Sequence, residues 1–296
     1  MQKMIAKLIL SSPRSSVGAL TMPELHTTKP PSGDGSTGGS FPTRLLLMVL
    51  VPLALLAGLT AVCYWTPLDL ITTRHFFSEG HNPFPFRETL LANLIYDYGP
   101  IPAIALFVIS ASTLLFSFVV PRLRPMRKGA LFCTLAILIG PGILINSVLK
   151  PNWGRPRPCD IVAFGGTQNY VPPGTIGPYE LAKSFPSGHA SMGFVFMLPA
   201  FLLLGKRNKL AAAIFGVGFL MGCGVGASRI AEGGHFLSDI AWSGAIVYFT
   251  GLALYLALYG WDNVARSASK QAETSVDTIP FARPSRETEP RKTSAA

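Results

Sequence analysis

The chain has 296 residues, of which 49% are apolar and only 14% are charged. A soluble protein carries about 25% charged residues, so this depletion indicates that lipid is the solvent for much of the chain. The net charge of +10 is not gathered in a basic patch with interleaved aromatic residues outside the apolar stretches, which argues against a nucleic-acid partner.

Residues 1–43 are expected to form a disordered cytoplasmic segment. Residues 23–42 consist largely of Pro, Gly, Ser and Thr, and this composition cannot bury a hydrophobic core. The apolar run IAKLILSS before them is interrupted by Lys7 and lacks a cleavage site, so we interpret it as neither a signal peptide nor an anchor. Residues 261–296 mix charges of both signs with Pro, Ser and Thr, and are expected to form a disordered cytoplasmic tail.

Between these segments, residues 44–260 contain six apolar stretches, each near the roughly 20 residues that a helix needs to cross a bilayer. They are Leu45–Trp65, Ile101–Val120, Ala130–Leu149, Ala190–Gly205, Leu210–Ala227 and Phe236–Tyr259. The fourth stretch is the shortest and contains Pro199. Six such stretches in one chain predict an all-α, polytopic membrane protein with six transmembrane helices.

The charges of the short loops predict the orientation. Loops 121–129 and 205–209 carry several Lys and Arg residues and no acidic residue, so both are cytoplasmic by the positive-inside rule. An even number of spans then places both termini in the cytoplasm as well. Loops 66–100, 150–189 and 228–235 face outward. The first of these is expected to contain a short interfacial helix, which would act as a lid over a site or as an ordinary connection.

Loop 150–189 departs from the positive-inside rule. It faces outward and yet contains four cations, Lys150, Arg155, Arg157 and Lys183. Cations placed against this bias often hold an anion. In KPNWGRPRP the prolines restrict the backbone between Lys150 and Arg157, so a point charge and a planar guanidinium suit one phosphate. Snorkelling to lipid head groups is the alternative, and for Arg155 we expect either that or a supporting role.

The same loop ends in SFPSGHAS, directly before the fourth apolar stretch. Pro186 and Gly188 favour a tight turn, and Ser187 is a candidate helix N-cap. Backbone N–H groups at a helix start form a cradle for an anion without any side-chain charge. His189 would lie in the first helical turn, where an imidazole can give a proton to a leaving oxygen.

The third outward loop contains SRIAEGGHFLSD, with Arg229 at its start. If Phe236 onward is helical, His235 and Asp239 share one helix face, and the carboxylate reaches a ring nitrogen. That contact fixes the tautomer and leaves the other nitrogen as a nucleophile or base. Asp239 is the only acidic residue within the predicted spans, and an intramembrane carboxylate indicates a functional site. A polar loop with a satisfied histidine is the alternative.

The order of the spans brings all of these groups to one side of the membrane. Three cations, two imidazoles and one carboxylate make a poor metal site but a good anion site, and the four cysteines show no metal-ligand spacing. The predicted phosphate-binding residues are Lys150, Arg157, Ser187, Gly188 and Arg229, and the predicted catalytic residues are His235, His189 and Asp239.

These motifs resemble the three-part signature of the type-2 phosphatidic acid phosphatase (PAP2) superfamily. KPNWGRPRP matches K-x6-RP, FPSGH matches PSGH, and SRIAEGGHFLSD matches SR-x5-H-x3-D, with no signature position altered. The resemblance implies that residues 44–260 form a PAP2/haloperoxidase-like helical core that hydrolyses a phosphomonoester without a metal or another cofactor. It also implies that His235 attacks phosphorus, that Asp239 orients the attacking ring, and that His189 protonates the leaving group.

Finer features, namely IGPGILINSVLKPNWGRPRP, then AFGG and VPP, then GGHFLSD, are similar to the lipid A 4′-phosphatase branch. That branch implies a lipid phosphate in the bilayer as partner, and a periplasmic site on a Gram-negative inner (plasma) membrane. Lipid A 1-phosphate, undecaprenyl diphosphate and phosphatidylglycerophosphate stay open as alternative substrates. A vanadate-dependent haloperoxidase and a non-enzymatic lipid-binding protein are further hypotheses. Six spans argue against the first, and the intact motifs argue against the second.

Overall fold

The computed structural model describes residues 41–260, with side chains described from residue 45 onward. The two terminal segments predicted to be disordered therefore lie outside the described residues, except that helix α1 begins slightly earlier than predicted. Within the described range all regular structure is helical, apart from one isolated β-bridge between Ile161 and Gln168.

The helices run in the following chain order: α1 (Phe41–Trp65), α2 (Leu68–Arg74), α3 (Leu90–Tyr98), α4 (Ile101–Phe116), α5 (Arg127–Ile137), α6 (Lys150–Asn152), α7 (Gly188–Phe194), α8 (Leu198–Phe201), α9 (Asn208–Ala231) and α10 (Leu237–Tyr259). A π-helix, Leu138–Leu149, joins α5 to α6, and a 3₁₀ turn, Val195–Met197, joins α7 to α8. Further 3₁₀ turns lie at Pro85–Glu88, Pro121–Met126, Pro158–Asp160 and Val162–Phe164.

Five helical stretches of the described chain are long and apolar enough to cross a membrane: Leu45–Trp65, Leu90–Phe116, Pro121–Asn152, Asn208–Ala231 and Leu237–Tyr259. A shorter apolar helical stretch, Gly188–Phe201, lies at the fourth predicted span. The prediction of an all-helical, multi-pass membrane protein is therefore confirmed, and the short stretch lies where the fourth of the six spans was predicted.

Several predicted boundaries differ from the structure. The third helical stretch runs over Pro121–Asn152 and not only Ala130–Leu149, and the second ends at Phe116 and not at Val120. The second span was expected to begin at Ile101, but helical structure begins at Leu90, where the Thr89 side chain accepts a hydrogen bond from a first-turn N–H at 3.2 Å. The fourth span was expected to reach Gly205, but it ends at Phe201. The residues that follow form tighter i→i−3 bonds, beginning with the Leu202 N–H to the Pro199 carbonyl at 3.1 Å. The helix predicted within loop 66–100 is present as α2.

The three loops predicted to face outward meet at one end of the helix bundle. Arg155 of the second loop is hydrogen-bonded to Asp69 of the first, at 2.8 Å. The Cys159 N–H of the second loop donates to the Gly233 carbonyl of the third, at 3.1 Å. At the other end, the ammonium of Lys128, in the first turn of α5, lies 4.7 Å from the ring centroid of Tyr259, the last residue of α10. This arrangement agrees with the parity of the predicted spans.

Helix α7 is held against α9 by a close backbone approach. Helix α9 presents Gly218, Gly222 and Gly226 at successive turns on one face. A Cβ atom added at Gly222 would collide with the ring of Phe194, and one added at Gly218 would collide with the backbone at Met197. Small residues of this kind allow membrane helices to pack closely. The approach fixes the position of α7, including the residues at its N-terminus.

Replacing Gly222 by alanine should therefore destabilise the protein by about 1–3 kcal/mol, because the added methyl group overpacks the α7–α9 contact. Gly224 lies on the same helix with nothing within 4 Å of an added Cβ. Gly224→Ala should instead gain about 0.5–1 kcal/mol from the loss of a helical glycine. Thermal unfolding midpoints of both variants in detergent should move in opposite directions, and a shared shift would contradict the packing argument.

Candidate active site

The carboxylate of Asp239 lies in the first turn of α10 and is fully buried. Its Oδ2 atom accepts hydrogen bonds from the Phe236 N–H at 2.8 Å and from the Ser184 hydroxyl at 2.6 Å. Its Oδ1 atom accepts a hydrogen bond from Arg155 at 2.5 Å. The bond from Phe236 also caps the start of the helix. Three donors from separate segments therefore fix the orientation of this carboxylate.

His235 lies two residues before the first residue of α10, and its side chain is 2% exposed. Its Nδ1 atom lies 3.6 Å from the Oδ2 atom of Asp239, as the four-residue spacing predicts. This separation exceeds an ordinary hydrogen bond, and Nδ1 has no hydrogen-bond partner among residues 45–260. Because Nδ1 faces the carboxylate, the Nε2 atom is the ring nitrogen left for a substrate.

Burial lowers the pKa of His235 to about 4. The neighbouring carboxylate of Asp239 acts in the opposite direction, while the charges of Lys150 and Arg229 lower the pKa further. The imidazole is therefore neutral at pH 7, which is the state that a nucleophile or a base requires.

This depressed pKa should make the folded protein sensitive to acid. An unfolded histidine has a pKa of about 6.5, so the unfolded state binds the proton first as the pH falls. Stability that is present above about pH 6.5 should be lost progressively as the pH falls towards 4. We expect the thermal midpoint to drop further between pH 7 and pH 5 in the wild type than in His235→Asn. Equal drops would show that this ring does not titrate as described.

The guanidinium of Arg155 is completely buried and connects two acidic residues. It donates to Asp239 and to the Ser238 hydroxyl, to Asp69 at 2.8 Å, and to the Val171 carbonyl at 2.8 Å. Burial alone would lower the pKa of Arg155, but the two carboxylates outweigh burial and raise it. Snorkelling to head groups, one expectation for Arg155, is therefore wrong, and the supporting role is the one that its contacts fit.

The sequence patterns did not point to Asp69, Ser184 or Ser238. Both carboxylate oxygens of Asp69 are used, because Oδ1 accepts the Ser238 N–H at 2.9 Å and Oδ2 accepts the Ser238 hydroxyl at 2.5 Å. Asp69 stands in the first turn of a short helix, where an acidic residue is common. No local spacing connects this residue to α10, so only the structure reveals the contact.

Replacing Arg155 by glutamine should destabilise the protein by about 3–5 kcal/mol, because two buried carboxylates lose the charge that compensates them. Lys183→Gln makes the same charge change at an exposed position of the same loop, and it should leave stability nearly unchanged. Thermal unfolding in detergent measures both. Similar midpoints for the two variants would contradict a structural role for the Arg155 ion pairs.

The start of α7 lies beside Lys150. A Cβ atom added at Gly188 would lie 3.4 Å from the Lys150 ammonium and 2.6 Å from the Asn146 side-chain oxygen, so a larger residue does not fit there. Ser187 is the N-cap, and its hydroxyl accepts a first-turn N–H at 3.3 Å, as predicted. The N–H groups of Gly188 and His189 have no acceptor among the residues that the structure describes. They remain available to an anion.

The segment that leads into α7 also contacts α10. The Ser184 hydroxyl binds the Asp239 carboxylate, and the Ser187 N–H donates to the Asp239 carbonyl at 3.4 Å. Between them, Pro186 follows a cis peptide bond. One short stretch therefore both fixes the carboxylate and begins the helix that carries His189.

Arg229 lies near the end of α9 and is buried. Its guanidinium is paired with Glu232, whose other carboxylate oxygen accepts the Ser228 hydroxyl at 2.7 Å. The guanidinium also packs so closely against Gly234 that a Cβ atom there would collide with it. The Nε–H of Arg229 is buried without a partner in the described part of the chain. Glu232 lies within the third motif but was not predicted to be a site residue.

The ring of His189 stacks on Tyr96 of α3, with ring centroids 4.7 Å apart and an interplanar angle of 23°. The guanidinium carbon of Arg229 lies 4.8 Å from the centroid of the same tyrosine ring. Arg157 is exposed, and its charge acts on His189 together with the charges of Lys150 and Arg229. The predicted site residues are therefore gathered at one end of the bundle, around two imidazoles. Within the described range no cluster of His, Cys, Asp and Glu is arranged to hold a metal ion.

Comparison with known proteins gives the following matches. A family profile described as the PAP2 superfamily matches residues 128–262. Lipid A 4′-phosphatase of Francisella tularensis subsp. novicida is 31% identical over 194 residues, which cover 65% of this chain and 86% of that protein. Lipid A 4′-phosphatase of Rhizobium etli is 36% identical over 140 residues, covering 46% of this chain and 51% of that protein. Lipid A 4′-phosphatase of Rhizobium leguminosarum is 37% identical over 120 residues, covering 39% and 50%. No solved structure matches the chain.

The profile match includes all of the predicted site residues, from Lys150 to Asp239. The match to the Francisella protein covers 86% of that protein, so the similarity is not confined to the motifs. The resemblance inferred from the three motifs is thereby confirmed. The chain belongs to the PAP2 superfamily and is a membrane-embedded phosphatase, a phosphoric monoester hydrolase.

Proposed function

We propose that the chain removes the 4′-phosphate of lipid A at the periplasmic face of the inner membrane of a Gram-negative bacterium. Three relatives named as lipid A 4′-phosphatases support this substrate. The observation that carries the chemistry is the pairing of a buried, neutral His235 with Asp239, beside Arg229, whose Nε–H has no partner among the described residues.

In the first step, the Nε2 atom of His235 attacks phosphorus, and a P–N bond forms as the P–O bond to the sugar breaks. The imidazole becomes positively charged, and Asp239 stabilises that charge through the Nδ1 side of the ring. The carboxylate does not have to move, because Arg155, Ser184 and the Phe236 N–H already hold it. The result is a phosphohistidine.

The phosphate oxygens are bound by Lys150, Arg157 and Arg229, aided by the backbone N–H groups around Ser187 and Gly188. Lysine supplies a point charge and arginine a planar pair of donors, and both are suited to a phosphate. These groups oppose the charge that develops on the equatorial oxygens in the transition state. The phosphate would provide an acceptor for the Arg229 Nε–H and for the first N–H groups of α7, which have none within residues 45–260.

His189 acts on the leaving group. Its protonated ring gives a proton to the departing sugar oxygen, and the neutral ring then takes a proton from a water molecule. That water attacks phosphorus, the P–N bond breaks, and inorganic phosphate leaves with His235 restored.

The sidedness of this reaction rests on the charges of the loops. The basic loops 121–129 and 205–209 lie on the cytoplasmic side by the positive-inside rule, which places both chain termini there as well. Loops 66–100, 150–189 and 228–235 then face the periplasm. The phosphate is taken from a lipid that stays in the bilayer, and the site opens at the level of the head groups.

Purified protein in detergent should release one phosphate per molecule from lipid A carrying both phosphates, and fragmentation mass spectra should show the loss at the distal glucosamine. His235→Ala and Asp239→Asn should each lower the rate at least about a thousandfold, because the loss of one residue of a catalytic unit removes most of the rate enhancement of the whole unit. Lys183→Gln, which changes an exposed cation of the same loop, should keep the wild-type rate.

The products distinguish the alternatives. Loss at the proximal glucosamine would identify a lipid A 1-phosphatase. Release from undecaprenyl diphosphate or phosphatidylglycerophosphate, with lipid A unchanged, would replace the proposed substrate. Full activity in both His235→Ala and Asp239→Asn would end the phosphohistidine mechanism.

A further inference from the structure

Tyr96 contributes to the site from outside every motif of the sequence. It lies on α3, ahead of residues 128–262 that the superfamily profile matches. Helix α3 packs against α9, which brings the tyrosine ring to the two groups described above. The ring stacks on His189 at 4.7 Å and lies 4.8 Å from the guanidinium carbon of Arg229. Tyr96 is nevertheless 47% exposed, so it is not a core residue that the fold requires.

The physical effect of such a ring is twofold. The face of an aromatic ring carries partial negative charge and attracts cations, so the guanidinium of Arg229 is favoured over it. Parallel stacking at this distance restricts the plane of the imidazole of His189. The Tyr96 hydroxyl makes no hydrogen bond with another residue of the described chain, so the ring rather than the hydroxyl makes the contacts.

We propose that Tyr96 is a positioning residue of the phosphatase, which holds the general acid His189 and the phosphate-binding Arg229 in a fixed relation. This inference rests on the proposed function, because it assigns a role relative to those two groups. Helix α3 thus belongs to the site, and the first outward loop is more than an ordinary connection.

The ring also affects the charge state in which His189 works. Three cations, Lys150, Arg157 and Arg229, lie near enough to this imidazole for their charges to act on it. The negative face of the Tyr96 ring favours the protonated form. Removing the ring should therefore restrict the active range to lower pH, because the general acid loses its proton earlier as the pH rises.

Three tyrosine variants test the proposal with lipid A as substrate. Tyr96→Ala should lower kcat about 10- to 100-fold with a smaller change in KM, since misplacing a catalytic group costs rate more than binding. Tyr96→Phe keeps the ring and should stay within about twofold of wild type. Tyr98→Ala is the matched control, because Tyr98 is an exposed tyrosine of the same helix, and it should have no effect.

The pH profile separates positioning from a general loss of structure. In Tyr96→Ala and in the bulkier Tyr96→Leu, the alkaline limb of kcat should move to lower pH, whereas in Tyr96→Phe and Tyr98→Ala it should stay in place. Rates are normalised to the folded fraction, measured by thermal unfolding in the same detergent. An alkaline limb that stays in place in both ring-deleted variants would overturn the proposal, even if their rates fall.

His235→Ala serves as the reference for the proposed function. If His235→Ala is inactive while Tyr96→Ala matches Tyr98→Ala, the role of Tyr96 is refuted and the phosphatase mechanism stands. If His235→Ala keeps its activity, the mechanism itself fails, and with it the general acid that Tyr96 is proposed to position.

Discussion

The arrangement of the site depends on one buried guanidinium placed between two buried carboxylates. Arg155 pairs with Asp69 and Asp239, and all three side chains are fully excluded from solvent. Removing such charges from water is costly, and only mutual pairing with complete hydrogen bonding compensates for it. Because Asp69 and Arg155 come from two outward loops and Asp239 from the start of α10, the pairing holds these three parts of the chain together. The carboxylate that faces His235 is oriented by this pairing.

The contacts that sequence patterns predicted are those that depend on short separations along the chain. The four-residue spacing of His235 and Asp239 requires only that a helix begin where it does. The N-cap at Ser187 likewise follows from the residues beside it. Asp69 and Tyr96 were not predicted, because they reach the site through tertiary packing that leaves no periodic pattern. The general position of the site was therefore predictable, but the groups that support it were not.

Hydropathy predicted the membrane-crossing helices because the lipid bilayer requires a certain length and an apolar composition of each one. The predicted helix boundaries were least accurate where a helix begins or ends at a position that the apolar residues do not mark. After Phe201 the chain stays apolar, but Pro199 and the i→i−3 bonds that follow it turn the backbone out of the helix. Before Ile101, the polar residues of α3 and the Gly99–Pro100 pair concealed a helix that begins at Leu90.

Helices α2 and α3 precede the residues that carry the motifs, but they contribute contacts to the candidate site. Residues 128–262 contain every motif position, yet the counter-charge for Arg155 and the aromatic neighbour of His189 are supplied by earlier residues. Expressed alone, that stretch would keep every motif residue, but Arg155 would lose one of its two carboxylate partners. Helices α2 and α3 therefore supply a charge and an aromatic contact to the candidate site from outside the part of the chain that carries the motifs.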